Sequence, residues 1–365
     1  MPLPLTSESS YPRFDATGSP RELGTGHGEQ AAPQIRGYLR YLTESLGLTS
    51  DSIHQRALQF LPLFEQYCPA LLEEVRGLAE GAGIEFADAL ALQLRGELAG
   101  VGDHACTTFA VGPRGTADRT ILIGQTSDTP AELEQFGYVL HLAPDDRPEL
   151  LMWTFGGMLG YHGLNAHGVA HFANALGGGP AWKFGLSHYP LKRLFLECDS
   201  LEKVLELCRR IPVCSNGNYM ISDRGRILDV ELTSEGPFPQ DDQGAGFLAH
   251  SNHFLCAPHA CRENFEQSLP DSFPRLDRVR ALISEKFGRL TVADLQQILG
   301  DHEGYPVGIC RHPHLGTGDR ILPASGRTIA AIIAEPARGR LHIARGNPCE
   351  RPFATYSLAM PLPPS

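Results

Sequence analysis

The sequence predicts an α+β fold, on three observations. The first hundred residues carry apolar side chains at helical spacing. From Gly100 onward the chain is rich in β-branched residues flanking short turns. The strands so marked come as antiparallel hairpins and do not alternate one-to-one with helices, which disfavours a doubly wound parallel sheet.

The helical block reads as three segments. From Pro33, the residues Ile35, Tyr38, Leu39, Leu42 and Leu46 recur on one face and stop before Gly47. A longer helix is expected to line up Leu58, Leu61, Phe64, Cys68, Leu71, Val75 and Leu78, with Gly81 and Gly83 ending it. A third, over 86–98, carries Leu90, Leu94 and Leu98. Ahead of them, Gly24-Thr25-Gly26-His27-Gly28 has the spacing of half a phosphate loop. No strand precedes it and no Lys-Ser/Thr follows, so it reads as a plain loop.

In the second block, 106–111 and 120–124 read as a hairpin through a Gly-Pro-Arg-Gly turn. Strands are expected at 138–142, 150–154 and 169–175, and a hairpin at 219–222 and 227–232 around Asp223-Arg-Gly-Arg226. Amphipathic helices fall near 191–198 and 201–210. After a polar, Pro-rich stretch at 235–246 come a strand at 247–251, helices at 274–287 and 292–299, and a final hairpin at 328–334 and 340–344.

Composition narrows the function classes. The chain has 365 residues, 31 Lys and Arg against 42 Asp and Glu, and a net charge of −11, which argues against nucleic acid as a partner. Its length suits one large or two ordinary domains. It holds no apolar run of about 18 residues and no apolar core in residues 1–20, so no membrane partner is expected and the cytoplasm is the default location. Nine cysteines, an odd number without a Cys-x-x-Cys pair, point to reduced, mostly buried thiols.

One thiol stands apart. Cys106 opens a strand directly after the helical block, in Asp103-His104-Ala105-Cys106-Thr107-Thr108. A buried, protonated cysteine is inert, whereas a nearby base makes it a nucleophile. If Cys106 became the first residue of a chain, its own α-amino group, with a pKa of about 7.7–8, could take the thiol proton near neutral pH. That requires cutting between Ala105 and Cys106. From local chemistry alone a core cysteine at a strand start is the favoured reading.

Five further ordered segments bear on the choice. Gly18-Ser-Pro-Arg-Glu-Leu-Gly24-Thr-Gly-His27-Gly28 is similar to an early Gly-x-Pro-x-Glu-x-Gly-x-x-His-Gly segment, and Leu72-Glu-Glu-Val-Arg-Gly77 to a Glu-Glu-Ile-Arg-Gly helix. Asp103 to Thr108 stands where Asp-Gly-Cys-Thr-Thr is usual, and Gly124-Gln-Thr-Ser-Asp128 where Gly-Gln-Asn-Trp-Asp is. Gly163-Leu-Asn165 through Asn174, and His250-Ser-Asn252-His253-Phe254, complete the series. Together they resemble the acyl-coenzyme A:6-aminopenicillanate acyltransferase family, with its isopenicillin-N N-acyltransferase and carcinine hydrolase relatives, a branch of the N-terminal nucleophile hydrolases.

The resemblance implies a four-layer αββα sandwich. It also implies self-cleavage between Ala105 and Cys106, into a helical segment 1–105 kept as a subunit and a catalytic chain 106–365. Cys106 would be the nucleophile, Asp128 would orient its new α-amino group, and Asn252 would donate to the tetrahedral oxyanion. Asn174, at the end of an apolar strand, is a second oxyanion candidate alongside a structural role. The substrate would be a small-molecule amide or acyl thioester, with no cofactor required and a coenzyme A thioester as a candidate acyl donor. Two departures follow: Ala105 replaces Gly before the nucleophile, and Thr126 and Ser127 replace Asn-Trp, so substrate contacts there differ.

Among basic residues, Arg275, Arg338 and Arg345 are placed by region to meet a substrate carboxylate, with Arg275 and Arg345 preferred. No metal is expected: His250 and His253 lie in a run that reads extended, where i and i+3 face opposite ways, and no His-Glu-x-x-His accompanies them, His259, His167 or His171. Asp301-His-Glu303 and His312-Pro-His314 read as polar loop, and His104 as a linker residue. Two rivals stay open: an unprocessed, non-catalytic member serving as a binding scaffold, and a metal-dependent hydrolase built on the histidines.

Overall fold

Two β-sheets face each other through the centre of the molecule and helices cover both outer faces, in a computed structural model that describes residues 9–99, 105–256, 259–260, 270–313 and 326–358. This is the four-layer αββα arrangement of an α+β protein. Among the described residues, no helix is long and apolar enough to cross a membrane.

The chain opens with a strand, β1 (Arg13–Gly18), where the sequence suggests only helices. Helices α1 (Pro20–Gln30), α2 (Ala32–Leu46), α3 (Ser50–Leu58), α4 (Leu61–Tyr67), α5 (Pro69–Ala82), α6 (Phe86–Leu92) and α7 (Arg95–Ala99) follow. The single helix expected across 58–78 is broken because Pro62 and Pro69 each sit in the first turn of a new helix, where a proline's missing N–H costs nothing. The Gly24–Gly28 segment is helical and not a loop. Ser19 caps α1 with a reciprocal Glu22 bond, and Pro20 starts it.

The glycines of α1 have a packing reason. A Cβ on Gly24 would stand 2.0 Å from the Glu74 carbonyl oxygen, and one on Gly28 2.6 Å from that of Leu78. Reciprocally, Cβ atoms on Gly77 and Gly81 would meet the Arg21 and Thr25 carbonyls at 2.1 and 2.2 Å. The two backbones thus touch along α1 and α5. Gly24→Ala should cost about 3 kcal/mol through forced separation, despite alanine's better helix propensity. The control is Gly96→Ala in α7, which meets nothing within 4 Å and should leave the denaturation midpoint in place.

Past α7 come β2 (Ala105–Val111), β3 (Leu122–Pro130), β4 (Gly137–Pro144), β5 (Leu150–Phe155), β6 (His162–Asn165) and β7 (Ala170–Ala175), then α8 (His188–Phe195) and α9 (Leu201–Arg210). Strands β8 (Gly217–Ser222), β9 (Ile227–Thr233), β10 (Gly236–Gln240) and β11 (Phe247–His250) follow. The Ser272–Glu285 and Val292–Leu299 helices and β12 (Gly326–Glu335), β13 (Arg340–Arg345) and β14 (Phe353–Ser357) complete the order. One sheet runs β1-β4-β5-β6-β7-β8-β9-β10 and the other β11-β2-β3-β12-β13-β14. Among the strands of the described residues, β1 and β4 alone pair in parallel, by which the N-terminal segment becomes an edge of the larger sheet. Strand β10 escapes a reading of its Pro-rich sequence because Pro237 and Pro239 are tolerated on an edge strand.

Strand periodicity places the site. Phe109 and Val111 join Leu276, Val279, Ile283 and Ile298 in the core under the two late helices, while Ala110 belongs to the central core. Cys106 and Thr108 share the face of Ala110, turned toward the eight-stranded sheet.

Candidate active site

The inward turn of β2 exposes Cys106 to a cavity of about 580 Å³ walled otherwise by the β6–β8 end of the larger sheet, α7, α8 and the loops beside them. Asn174 at the end of β7 lines it, as do Tyr161, Tyr189, Lys192 and Glu97, so it has aromatic walls with one cation and one carboxyl. The Lys192 ammonium lies 4.6 Å from the Tyr161 ring centre and 5.1 Å from that of Tyr189, a cation–π arrangement that keeps it in the wall.

The backbone around Cys106 is held from three sides. Its N–H donates to Asn252 Oδ1 (3.1 Å), and its carbonyl accepts from Asn174 Nδ2 (3.0 Å) and Arg275 Nη1 (2.8 Å). Arg275 Nη2 donates to the same Asn252 oxygen (2.8 Å), and Asn252 Nδ2 donates to the Ala175 carbonyl (2.9 Å). Thr108 donates to Asn174 Oδ1 (2.7 Å), orienting that amide so its N–H groups face Cys106.

Asp128 is paired in register with Ala105 across β2 and β3, and Cys106 with Ser127. Its Oδ1 accepts from Thr328 (2.6 Å), while Oδ2 lies 4.0 Å from Arg311 Nε without a hydrogen bond. Arg311 in turn pairs with Asp271, which also binds Arg275 Nε (2.8 Å). Two arginines and two aspartates therefore form one buried network running from Asp128 to the Cys106 carbonyl.

Electrostatics follow from that burial. Desolvation pushes the Cys106 thiol up to about 12, the Asp128 charge adds to this, and Arg275 and Lys192 oppose it. As an internal residue it is therefore a poor nucleophile. Burial likewise raises Asp128 to about 6 against the pull of Arg311 and Arg275. Asp271 goes the other way: burial disfavours its charge, yet Arg275 and Arg311 hold it below the ordinary carboxylate range.

Residues 115–350 match the family described as acyl-coenzyme A:6-aminopenicillanic acid acyl-transferase. The chain belongs to that family. The match takes in Asp128, Asn174, Asn252, Arg275 and Arg311 and begins after Cys106. The 40 kDa form of acyl-coenzyme A:6-aminopenicillanic-acid-acyltransferase of Emericella nidulans is 26% identical over 305 residues, covering 80% of this chain and 83% of that protein. Among solved structures, a mutant conjugated bile acid hydrolase from Clostridium perfringens is similar at 15% identity and a TM-score of 0.47, over 69% of this chain and 97% of that one. Penicillin V acylase from Agrobacterium tumefaciens is similar at 11% identity and a TM-score of 0.43, over 71% and 84%.

Of the residues singled out from this family member's sequence, the fold brings Cys106, Asn174, Asn252, Asp128 and Arg275 together and leaves others apart. Arg275 lies away from the cavity lining: its guanidinium is committed to Cys106, Thr107, Asn252 and Asp271, so it holds the Cys106 strand and has little to offer a substrate carboxylate. Arg345 is elsewhere, bound to Glu134 at 3.3 Å on β13. Arg338 pairs with Glu335 and Asp118 at a turn. Thr126 accepts from the Thr107 N–H inside the sheet, and Thr126 and Ser127 are buried beside Cys106 without lining the cavity.

Of the histidines weighed as metal ligands, His250 is bound to Glu231 (2.9 Å), His253 to Ser272 (2.8 Å) and His171 to the Lys192 carbonyl (2.9 Å). His104, Cys261 and His314 lie outside the described residues. Sequence reasoning missed Arg311, Asp271, Thr328 and Lys192. Each has a partner far along the chain, and no local motif marks them.

Proposed function

We propose that the chain matures by cutting itself between Ala105 and Cys106 and then works as an N-terminal cysteine amidohydrolase or acyltransferase. Its substrates would be small N-acyl amines, N-acyl amino acids or β-lactam-type amides. The observation that carries this reading is Cys106: a thiol on a cavity wall whose own N–H and carbonyl are held by Asn252, Asn174 and Arg275.

In the first step the Cys106 sulfur bonds to the Ala105 carbonyl carbon as the peptide C–N bond breaks, and the thiol proton goes to the departing nitrogen. Water then hydrolyses the thioester, which frees the Ala105 carboxylate, the thiol and an α-amino group on Cys106. That amine is the base the buried thiol lacks. It takes the thiol proton, the sulfur attacks the substrate carbonyl, and the amine returns the proton to the leaving nitrogen. Water or an acceptor amine resolves the acyl-enzyme. Asp128 Oδ2, without a hydrogen bond and across the strand pair from the cut, is suited to receive the new ammonium or amine. Asn174 and Asn252 each carry a second Nδ2 hydrogen beyond the bonds described, for the oxyanion.

The segments 1–105 and 106–365 stay joined in this reading by buried contacts across the cut. Glu74 on α5 binds Arg193 on α8 at 2.7 Å with both side chains fully buried, and Gln93 binds both Gly157 and Leu159. The aromatic cavity wall favours an apolar acyl group, and Lys192 supplies a cation for an acidic leaving portion or for the phosphates of a coenzyme A thioester donor. The reaction as written uses no cofactor.

Intact mass of the purified protein tests the first step: two chains divided before Cys106 are expected, and a persistent single chain with no turnover would instead favour the scaffold. The pH profile tests the second. Because the neutral amine is the base, kcat/KM should fall about tenfold per unit below that amine's pKa. Ionised Asp128 stabilises the ammonium, so Asp128→Asn should move this acid limb to lower pH while slowing the reaction. A rate unchanged from pH 8 to pH 5 would remove the amine from its role.

A further inference from the structure

Outside the cavity, four side chains with the donor set of a structural zinc site converge. His302, Cys310, His312 and Cys349 each offer one ring nitrogen or sulfur, and these atoms all lie within 4.8 Å of one another. They come from two irregular stretches, 301–313 after the Val292–Leu299 helix and 346–350 after β13, in a region that the sequence presents as polar loop.

Four of the six separations are close to the edges of a coordination tetrahedron. The two sulfurs are 3.6 Å apart, and His312 Nε2 is 3.6 Å from Cys310 Sγ and 3.4 Å from Cys349 Sγ. The Nε2 atoms of His302 and His312 are 3.0 Å apart. Around a tetrahedral zinc ion, with Zn–S about 2.3 Å and Zn–N about 2.0–2.1 Å, the S–S, S–N and N–N edges are about 3.8, 3.5 and 3.3 Å. These four lie within about 0.4 Å of their edges, and the His302 nitrogen is within 4.8 Å of both sulfurs. A disulfide would account for the two sulfurs but not for two imidazoles aimed at the same point.

The surroundings orient the donors as an outer shell does. Glu350 Oε1 stands 3.8 Å from His312 Nδ1, the nitrogen not aimed at the cluster. Asn347 Nδ2 donates to Cys310 Sγ (3.4 Å) and to the Arg311 carbonyl (2.7 Å), tying the two stretches together.

We propose that His302, Cys310, His312 and Cys349 form a tetrahedral zinc site that clamps the chain on both sides of Arg311. Two of the four ligands are the neighbours of Arg311, whose side chain leaves the cluster to pair with Asp271 and face Asp128. The Arg311 N–H donates to Thr328 Oγ1 (2.9 Å), which donates to Asp128 Oδ1 (2.6 Å), so the same short segment reaches both carboxylate oxygens of Asp128. Zinc here is a positioning element and takes no part in bond making. The site stands on its own geometry; its effect on turnover rests on the function proposed above.

The full, tag-free chain should purify with about one zinc per chain, and cobalt put in its place should give the visible and thiolate charge-transfer bands of a tetrahedral S₂N₂ site. The double variant Cys310→Ser/Cys349→Ser should lose both metal and bands, and stripping the metal from the unaltered chain should lower its melting temperature by about 4 °C or more. The cobalt spectrum of the unaltered chain decides the matter even where the double variant folds badly. Absence of both zinc and cobalt bands, zinc retained by the double variant, or a Cys310–Cys349 disulfide in the non-reduced protein would each overturn the site. Metal content does not depend on acyl chemistry, so its failure is distinct from failure of the proposed reaction.

Discussion

Cys106→Ala is expected to leave one uncut chain with no measurable acyl transfer, a loss of at least about 10⁴-fold when a nucleophile that works as a unit with its base is removed. The fold should survive, because the substitution deletes a single sulfur from a cavity wall and opens no sealed void; the denaturation midpoint should shift by no more than about 1 kcal/mol in stability. Retained fold with lost cleavage separates chemistry from collapse. Cys106→Ser sharpens the test, since a hydroxyl can make the same first attack but is a weaker nucleophile, so slow cutting is expected. The variant also discriminates where a chelator does not. A zinc clamp beside Arg311 would make the enzyme chelator-sensitive without any metal in the reaction, so loss of activity to a chelator does not make the protein a metal-dependent hydrolase. Activity that a chelator abolishes and that Cys106→Ala retains in full would do so and would end the nucleophile reading.

What was legible in the sequence depended on how local its cause was. The α+β class and the strand carrying Cys106 follow from periodicity, which is set within a few residues. The Pro62 and Pro69 breaks were equally local but were overruled by an apolar stripe that continues through them. Strand β1 and the helical Gly24–Gly28 segment were hidden because their causes are tertiary: β1 takes shape as an edge paired with β4, and the α1 glycines answer to the backbone of α5. At the site, Cys106, Asp128, Asn174 and Asn252 sit in recognisable segments. The network joining them does not: Asp271 and Arg275 are only four residues apart, but Arg311 reaches Asp128 and Asp271 through long-range contacts. The four donors of the proposed zinc site are likewise spread over two stretches, with Cys349 beyond any motif window around His312.

Arg275→Ala should be the most damaging change away from the cavity. Its side chain is buried and makes four bonds that no neighbour can replace: to the Cys106 carbonyl, Thr107 Oγ1, Asn252 Oδ1 and Asp271. Removing it leaves Asp271 with Arg311 alone and raises the cost of keeping that carboxylate charged. Breaking a buried ion pair by deleting one partner typically costs about 3–5 kcal/mol, and a loss of that size is expected in denaturant unfolding. Arg275→Lys is the informative companion. It keeps the charge for Asp271 but cannot reach three acceptors with a planar fork, so the protein should fold while the Cys106 strand loses its clamp and cutting slows. Arg345→Ala supplies the contrast. Arg345 is a quarter exposed, and its partner Glu134 is also bound by Arg327, so the change should cost under about 1 kcal/mol and leave cleavage untouched. Equal damage from Arg275→Lys and Arg275→Ala would mean that the guanidinium geometry, and not its charge, sets stability. Cleavage at the normal rate in Arg275→Lys would remove this arginine from the positioning of the nucleophile.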